Sequence, residues 1–329
     1  MLNRDKNPEI LNQFLDYMET ILNKSPNTIK EYNYDLARFL KFIKIHKKLT
    51  KKIIDINKIE IKDIDVNVLR DITLNDLYAY LSYITKEFNS QPATRARKVA
   101  CLKTFFNYLS VKAKLIEHSP AEHLETPKIG KRMPKYLSLE ESEKLLNTVM
   151  TEDSNRHKER DYAIITLFLN CGMRLSELVG INIKDIDFNE AKLNVIGKGN
   201  KERTIYLNNA CITSIKDYLD TRTDNITNDK VPLFTSERSN RISNRTIQHI
   251  VRKELRNAGL NIEKYSVHKL RHTAATLMYQ YGNVDIRALQ ELLGHESIST
   301  TEIYTHVSNE QIRAAVEDNP LANLPKGKS

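Results

Sequence analysis

The sequence predicts a mainly α-helical protein with a small β-sheet, organised in two domains. Through most of the chain, apolar residues recur at every third or fourth position, which is the spacing of the buried face of an amphipathic helix. Residues 192–207 differ, because two short segments flank a Gly-Lys-Gly-Asn turn in the manner of a β-hairpin. The length of 329 residues is more than one core usually accommodates and is comfortable for two.

Helices are predicted in the first domain, which we assign to residues 1–125. Residues 25–28 (Ser-Pro-Asn-Thr) are a capped helix start, followed by apolar residues at helical spacing. A second helix is predicted over residues 74–84 and a third after Pro92. Residues 46–70 are rich in Lys, Ile and Asp and fit no periodic pattern, so we expect a partly ordered insertion there.

A linker is predicted at residues 126–134, which contain two prolines, a glycine and three cations. The second domain is then residues 135–329. It begins with a helix capped by Ser138, continues with a helix over residues 160–169, and contains the hairpin at residues 192–207. The pattern after the hairpin is again mostly helical.

Composition limits the class of protein. The chain has no 18-residue apolar run, and its first residues lack the apolar segment of a signal peptide, so we expect a cytoplasmic protein without a membrane anchor. Cys101, Cys171 and Cys211 lie far apart, which favours reduced thiols over a disulfide framework or a zinc cluster. The net charge of +9 is compatible with a polyanionic partner, although an excess of this size is also common on a solvated surface.

The segment His-Lys-Leu-Arg-His at residues 268–272 is the most informative motif. His268, Arg271 and His272 have i, i+3 and i+4 spacing, so they share one face of a predicted helix. Such a face suits an anion or a metal. Zinc hydrolases with this histidine spacing place a Glu between the two histidines, where this chain has Lys269, so we favour a phosphate site.

Three further segments carry residues that are candidates for catalysis. Arg174 follows a glycine at the predicted start of a helix, His295 follows Gly294 in a predicted turn, and Tyr304 lies nine residues later. Taken singly, an arginine is usually a surface charge and a tyrosine is usually part of a core or its rim. Their combination with the 268–272 motif is more specific.

The combined pattern resembles the active site of the tyrosine recombinase and phage integrase family. The matching strings are Gly-Met-Arg-Leu-Ser-Glu-Leu, Gly-Lys-Gly-Asn-Lys-Glu-Arg, His-Lys-Leu-Arg-His, Leu-Leu-Gly-His and Ile-Tyr-Thr-His. The six residues that this resemblance marks as catalytic are Arg174, Lys198, His268, Arg271, His295 and Tyr304.

The resemblance also implies a fold and a branch of the family. It covers nearly all of the second domain, and residues 25–32 with the helix after Pro92 resemble the family's SAM-like core DNA-binding domain. The implied architecture is a C-shaped clamp on DNA. We expect no separate arm-binding domain before these segments, so the chain resembles the Xer-type recombinases, which act in chromosome dimer resolution, more closely than the large phage integrases. Integration or excision of a mobile element is the alternative.

The chemistry of phosphoryl transfer suggests how charge is handled in such a site. Arg174 and Arg271 are suited to the non-bridging phosphate oxygens, because a guanidinium is always charged and grips phosphate bidentately. His295 is a third donor. Glu177, three residues after Arg174, either orients a side chain of the site or is an ordinary surface glutamate.

Proton transfer involves the remaining residues. Tyr304 is the predicted nucleophile, and His268 is the general base because an imidazole normally titrates close to working pH. Lys198 on the hairpin turn is the general acid that the family resemblance implies, with Lys201 as the competing candidate. A covalent 3′-phosphotyrosine conserves bond energy, and no Walker loop is found, so we expect no ATP, metal or other cofactor.

The expected partners are double-stranded DNA with paired half-sites and other recombinase protomers. Candidate DNA contacts are Arg95, Arg97, Lys98, Lys201 and Arg203. In the family, a tail segment after the nucleophile packs on a neighbouring protomer of a four-protein synapse, formed with itself or with a paralogue. Residues 309–324 carry a short apolar stripe that suits such docking or docking on their own domain.

Two other functions are compatible with parts of the pattern. One is a metal-dependent nuclease that uses His268, His272 and His295, and the other is a DNA-binding regulator that only keeps the fold. The recombinase hypothesis predicts that cleavage of site DNA continues in EDTA, because arginines replace the metal as the charge-neutralising groups. Cleavage that stops in chelator and returns with added metal would identify the nuclease.

Overall fold

The computed structural model describes residues 4–50, 55–130, 135–152, 155–197, 202–222, 231–282 and 284–294. The chain divides into two compact units, Met1–Lys131 and Arg132–Ser329. The fold is mostly helical with one small sheet among the described residues, which confirms the predicted fold class. No helix in these ranges combines the length and apolar character needed to cross a bilayer.

The first unit is a helical bundle. Its helices are α1 (Glu9–Thr20), α2 (Pro26–His46), α3 (Val66–Arg70), α4 (Leu74–Phe88) and α5 (Pro92–Asn107). The helices predicted from the sequence correspond to α2, α4 and α5. The predicted cap of α2 is present, because the Ser25 hydroxyl accepts a hydrogen bond from the Thr28 backbone. The sequence analysis did not predict α1, although its buried face has regular helical spacing.

Aromatic side chains join the helices of the first unit. The rings of Phe14 and Phe105 meet edge to face with centroids 5.2 Å apart, and Phe39 makes similar contacts with Tyr80 and Phe106. This geometry suits the ring quadrupoles and adds to the stabilisation from burial. α1, α2, α4 and α5 are therefore held to one core.

The described part of residues 46–70 is folded and packs into this core, whereas the sequence led us to expect a partly ordered insertion. It contains a 3₁₀ turn at Ile56–Lys58 and the helix α3. The ammonium of Lys44 on α2 donates to the Glu60 carbonyl at 3.0 Å and to the Asp63 carboxylate at 2.7 Å. The buried apolar residues of the segment are Ile59, Ile61, Ile64 and Leu69.

The second unit is organised around a central helix. Its helices are α6 (Leu139–Thr151), α7 (Lys158–Cys171), α8 (Leu175–Gly180), α9 (Asn209–Asp220), α10 (Asn244–Asn257), α11 (Val267–Tyr281) and α12 (Ile286–Leu293). α7 is buried on nearly all sides and packs against α6, α9, α10 and α11. The predicted capping box of α6, formed by Ser138 and Glu141, is present.

A three-stranded antiparallel sheet lies between α8 and α9 in the chain. Its strands are β1 (Ile186–Asp187), β2 (Lys192–Ile196) and β3 (Glu202–Tyr206), in the order β1-β2-β3. The strands β2 and β3 confirm the predicted hairpin, with Val195 opposite Arg203. The turn that contains Lys198 and Lys201 lies outside the described residues.

The three cysteines are buried and free, as their spacing predicts. The sulfur atoms of Cys171, at the end of α7, and Cys211, in α9, are 3.7 Å apart. This contact joins α9 to the end of the helix that precedes Arg174.

Candidate active site

Arg174 is placed by a break between two helices. α7 ends at Cys171 and is capped by Gly172, whose φ of +56° is left-handed and suits a residue without a Cβ. Arg174 then occupies the N-cap position of α8. Its backbone N–H donates to Glu177 Oε2 at 2.7 Å, and its guanidinium Nη1 donates to Glu177 Oε1 at 2.8 Å. The carboxylate therefore holds both the backbone and the side chain of Arg174.

Glu177 is shared with a second arginine. Its side chain is fully buried, and Arg203 on β3 donates to its two oxygens from Nε and Nη2, at 3.3 Å and 2.8 Å. Burial alone would raise the pKa of Glu177, but the hydrogen bonds and charge of Arg203, with the bonds from Arg174, outweigh burial and lower that pKa. Of the two roles considered for Glu177, the structure excludes an ordinary surface position and supports orientation of the Arg174 side chain.

Arg271 lies in the first turns of α11 and is only 7% exposed. Its Nη1 donates to the Gly172 carbonyl at 2.7 Å, and its Nη2 donates to the Leu293 carbonyl at 2.6 Å. The guanidinium thus joins the end of α7 to the end of α12. Its position beside the break before Arg174 brings the two predicted phosphate-binding arginines into one region.

Three consecutive carbonyls at the end of α12 each accept a hydrogen bond from a different arginine. Arg203 Nη1 donates to Leu292, Arg271 Nη2 donates to Leu293, and Arg174 Nη2 donates to Gly294, the last at 2.7 Å. We refer to these acceptors as the 292–294 carbonyls. They carry the partial negative charge of a helix C-terminus, which favours cations. His295 is the next residue in the chain, so the arginines gather immediately before it.

Two glycines permit this close approach. A Cβ on Gly172 would come within 2.9 Å of Leu293 Cδ2, and a Cβ on Gly294 would come within 3.1 Å of Arg203 Cδ. Gly294 also has a left-handed φ of +63°, as predicted for the residue after the helix. A side chain at either position would be strained by the left-handed backbone, and it would require the Leu293 or Arg203 side chain to shift.

The two histidines of the 268–272 motif have different surroundings. His268 is exposed at the start of α11, whereas His272 is partly buried. Burial, with the nearby charge of Lys269, His268 and Arg271, lowers the pKa of His272 to about 4. His272 is therefore neutral at neutral pH. His268, Arg271 and His272 all lie on α11, as predicted, but they differ in exposure: His268 is exposed, His272 is partly buried and Arg271 is buried.

The other predicted catalytic residues, Lys198, His295 and Tyr304, lie outside the described residues, as does the alternative acid Lys201. Of the six, the structure brings together Arg174 and Arg271, and it places His268 three residues before Arg271 on the same helix. The sequence analysis did not find the carbonyl acceptors or the inward role of Arg203. Backbone acceptors have no sequence signal.

The candidate DNA contacts have different partners in the structure. Lys98 is buried and its ammonium lies 2.5 Å from the Asp35 carboxylate, which is also buried. Arg97 is 46% exposed and pairs with Asp35 and Glu31. Of the remaining three, Arg95 donates to the Ser90 carbonyl, and Arg203 is 14% exposed and faces Glu177. Lys201 lies outside the described residues.

Family models match both parts of the chain. A model described as the phage integrase family matches residues 135–311, and one described as the phage integrase N-terminal SAM-like domain matches residues 10–113. A tyrosine recombinase XerC from Caldanaerobacter subterraneus subsp. tengcongensis is 56% identical over 317 residues, which cover 96% of this chain and 88% of that protein. A tyrosine recombinase XerD from Proteus mirabilis is 34% identical, over 94% and 92% of the two chains.

Solved structures share the fold. The XerH site-specific recombinase, in a post-cleavage complex with palindromic difH substrate, has a TM-score of 0.71 at 24% identity, covering 94% of this chain and 84% of that one. The Tn1549 transposon integrase, in complex with circular intermediate DNA, has a TM-score of 0.70 at 18% identity, covering 94% and 100%.

The lowered pKa of His272 predicts a pH dependence of stability. An unfolded histidine titrates near pH 6.5, whereas His272 in the folded protein titrates near pH 4. Between these values the unfolded state binds a proton that the folded state does not, so the stability contribution is complete above about pH 6.5 and is lost as the pH falls towards about 4. His272→Gln removes this linkage. Its melting temperature should fall less than that of the wild type across this window, and parallel curves would contradict the assignment.

Proposed function

The chain belongs to the phage integrase family, that of the tyrosine recombinases, and it cleaves and rejoins DNA at specific sites; we propose that it does so at the cluster around Arg174 and Arg271. The observation that carries this proposal is the convergence of these arginines, from the start of α8 and the start of α11, on the 292–294 carbonyls. The family match supplies the reaction, and the arginine cluster supplies a region in which phosphate charge can be neutralised.

In the proposed reaction, the Tyr304 hydroxyl oxygen attacks the scissile phosphorus. A phosphorus–oxygen bond to tyrosine forms, the bond to the 5′ oxygen breaks, and that oxygen takes a proton. The reverse reaction with a different 5′ hydroxyl rejoins the strands. The number of phosphoester bonds is unchanged in each step, so the reaction needs no nucleotide hydrolysis. Arg174 and Arg271 stabilise the negative charge that gathers on the non-bridging oxygens, with His295 as a third donor.

The proposed proton transfers use one histidine and one lysine. His268, exposed at the start of α11, accepts the proton of the tyrosine hydroxyl. Lys198, two residues beyond the end of β2, donates a proton to the leaving 5′ oxygen. His272 does not serve as a second acid near neutral pH, because its pKa is about 4.

DNA contact is proposed for both domains, residues 1–125 and 135–329, which the 126–134 linker joins in the chain. In the first domain, Arg95 and the exposed Arg97 are the proposed contacts. Lys98 is better explained as the internal partner of Asp35, because a buried ammonium paired with a carboxylate is not available to a phosphate. In the second domain, Lys201 stays the proposed contact.

The identity to proteins named XerC favours an Xer-type task over integration or excision. We therefore propose action on paired half-sites of chromosomal DNA in the cytoplasm, by four protomers of this chain alone or with a paralogue. Docking of residues 309–324 on a neighbouring protomer would couple the four active sites in a closed ring.

Replacing Tyr304 by Phe tests the nucleophile. Tyr304→Phe should form no covalent complex with site DNA but should bind it with an affinity similar to the wild type, because most of the affinity comes from phosphate contacts elsewhere. The measurements are a denaturing gel for the protein–DNA adduct and a gel shift for binding. An adduct that persists in Tyr304→Phe would show that another residue attacks.

A substrate with a 5′-bridging sulfur tests the general acid. Lys198→Ala should cleave normal DNA very slowly and should recover on the sulfur substrate, because a thiolate leaves without a proton. Lys201→Ala is the matched variant. Because Lys201 is a proposed DNA contact, this variant should bind more weakly, but at saturating protein it should cleave normal DNA at close to the wild-type rate and gain nothing from the sulfur substrate. Rescue of Lys201→Ala instead of Lys198→Ala would assign the acid to Lys201.

A further inference from the structure

Arg203 has an elaborate set of internal contacts that the proposed reaction does not use. Its guanidinium donates to both oxygens of Glu177 and to the Leu292 carbonyl, and its Cδ lies in the space that a Cβ on Gly294 would need. It stands opposite Val195 in the hairpin, so it joins β3, the start of α8 and the end of α12. Among the described residues, Glu177 is the only carboxylate that Arg203 contacts.

We propose that Arg203 is a positioning residue that keeps the charge and the orientation of Arg174 available to the scissile phosphate. The inference rests on the proposed function, in which Arg174 neutralises that phosphate. Arg203 itself does not touch DNA in this scheme; it acts through Glu177 and through the turn that precedes His295.

The electrostatic part of the argument concerns one carboxylate and two guanidinium groups. Without Arg203, the buried carboxylate of Glu177 would pair with Arg174 alone, and the pair would present almost no net charge to a phosphate. With Arg203 present, one negative charge is shared by two positive ones, so the group keeps a net positive charge. The Glu177 carboxylate is buried, so water and salt screen its charge only weakly, and the number of arginines that pair with it strongly affects the local electrostatic potential.

The geometric part concerns the shape of the guanidinium. Nε and Nη2 reach the two oxygens of Glu177 while Nη1 reaches the Leu292 carbonyl, so three donors in one plane hold two elements together. A lysine ammonium offers a similar charge from a single atom and cannot reproduce this fork. Arg203 therefore fixes Glu177, and Glu177 fixes both the backbone and the side chain of Arg174.

The test compares cleavage by the full-length protein of nicked site DNA, under single-turnover conditions with saturating protein. Arg203→Met should form the covalent adduct on the order of 10- to 100-fold more slowly, with little change in DNA affinity. This is the usual effect of removing a residue that positions a catalytic group. Arg203→Lys, which keeps the charge but not the fork, should be intermediate. Wild-type rates in both variants would overturn the proposal.

A control separates positioning from general stability. Arg241 also tethers two elements through backbone, donating from Nη1 to the carbonyls of Val179 and Ile181 at 2.8 Å and 3.0 Å, but within the described ranges it contacts no carboxylate. Arg241→Met should lower the melting temperature and leave the adduct rate near the wild-type value at temperatures where the protein is folded. If Arg241→Met and Arg203→Met lose rate equally at the same folded fraction, Arg203 contributes only to stability and the proposed positioning role is wrong.

A double-mutant cycle with Glu177→Gln tests the route of the effect. If Arg203 acts by balancing Glu177, removal of the carboxylate charge frees Arg174, so Arg203→Met with Glu177→Gln should cleave faster than Arg203→Met alone. Additive losses would overturn the electrostatic coupling.

The 5′-sulfur substrate gives a second check on the step involved. Arg203→Met should stay slow on it, because the defect concerns phosphate charge and not the proton of the leaving oxygen; full recovery would overturn the proposal. Failure of the proposed function is distinguishable, because wild-type protein would then form no tyrosine adduct on either substrate.

Discussion

The arrangement of the site depends on one short stretch of backbone, the 292–294 carbonyls at the C-terminal end of α12. A helix end leaves its last carbonyls without partners inside the helix, and in this protein three arginines from three other elements satisfy them. The same bonds that complete the helix therefore place Arg174 and Arg271 beside each other, immediately before His295. Gly294 leaves room for the Arg203 side chain, and both Gly172 and Gly294 adopt the left-handed backbone that ends α7 and α12.

Glu177 keeps this concentration of positive charge compatible with a folded protein. Several guanidinium groups in a partly buried space repel one another, and a single buried carboxylate shared by Arg174 and Arg203 relieves that repulsion without cancelling it. The pKa of Glu177 is lowered despite its burial, so the carboxylate stays ionised at neutral pH. The result is a region with fixed donors and an excess of positive charge, which is the condition for stabilising a phosphoryl-transfer transition state without reorganisation.

Much of this could be predicted from sequence because the signals are local. Caps at Ser25 and Ser138 and the Gly-rich turn of the hairpin identified elements that the structure confirms. The spacing of Arg174 and Glu177 indicated their possible contact. What sequence could not supply is the partner of each charge across long distances: Lys98 meets Asp35 from 63 residues away, and Arg203 meets Glu177 from 26 residues away.

Residues 55–70 show a second limit of the sequence pattern. Their buried isoleucines are separated by charged residues at irregular intervals, and only contact with the long helix α2 reveals which of them face inward. Because the apolar residues recur with a period of neither 2 nor 3.6, the sequence does not show which of them form a buried face, although Ile59, Ile61, Ile64 and Leu69 are all buried. The same limit applies to Arg203, because a charged residue on a strand looks alike whether it faces solvent or a buried carboxylate.

The sequence separations within the arginine cluster have a consequence for biosynthesis. The carbonyl partners of Arg174, Arg203 and Arg271 follow them by 120, 89 and 22 residues. A ribosome-bound chain thus exposes all three guanidinium groups before residues 292–294 exist to order them. Such distant pairings form late, once the intervening chain has collapsed. The cluster of positive charge can therefore form only after residues 292–294 have been synthesised, and a chain that stops before them has the basic side chains without the contacts that order them.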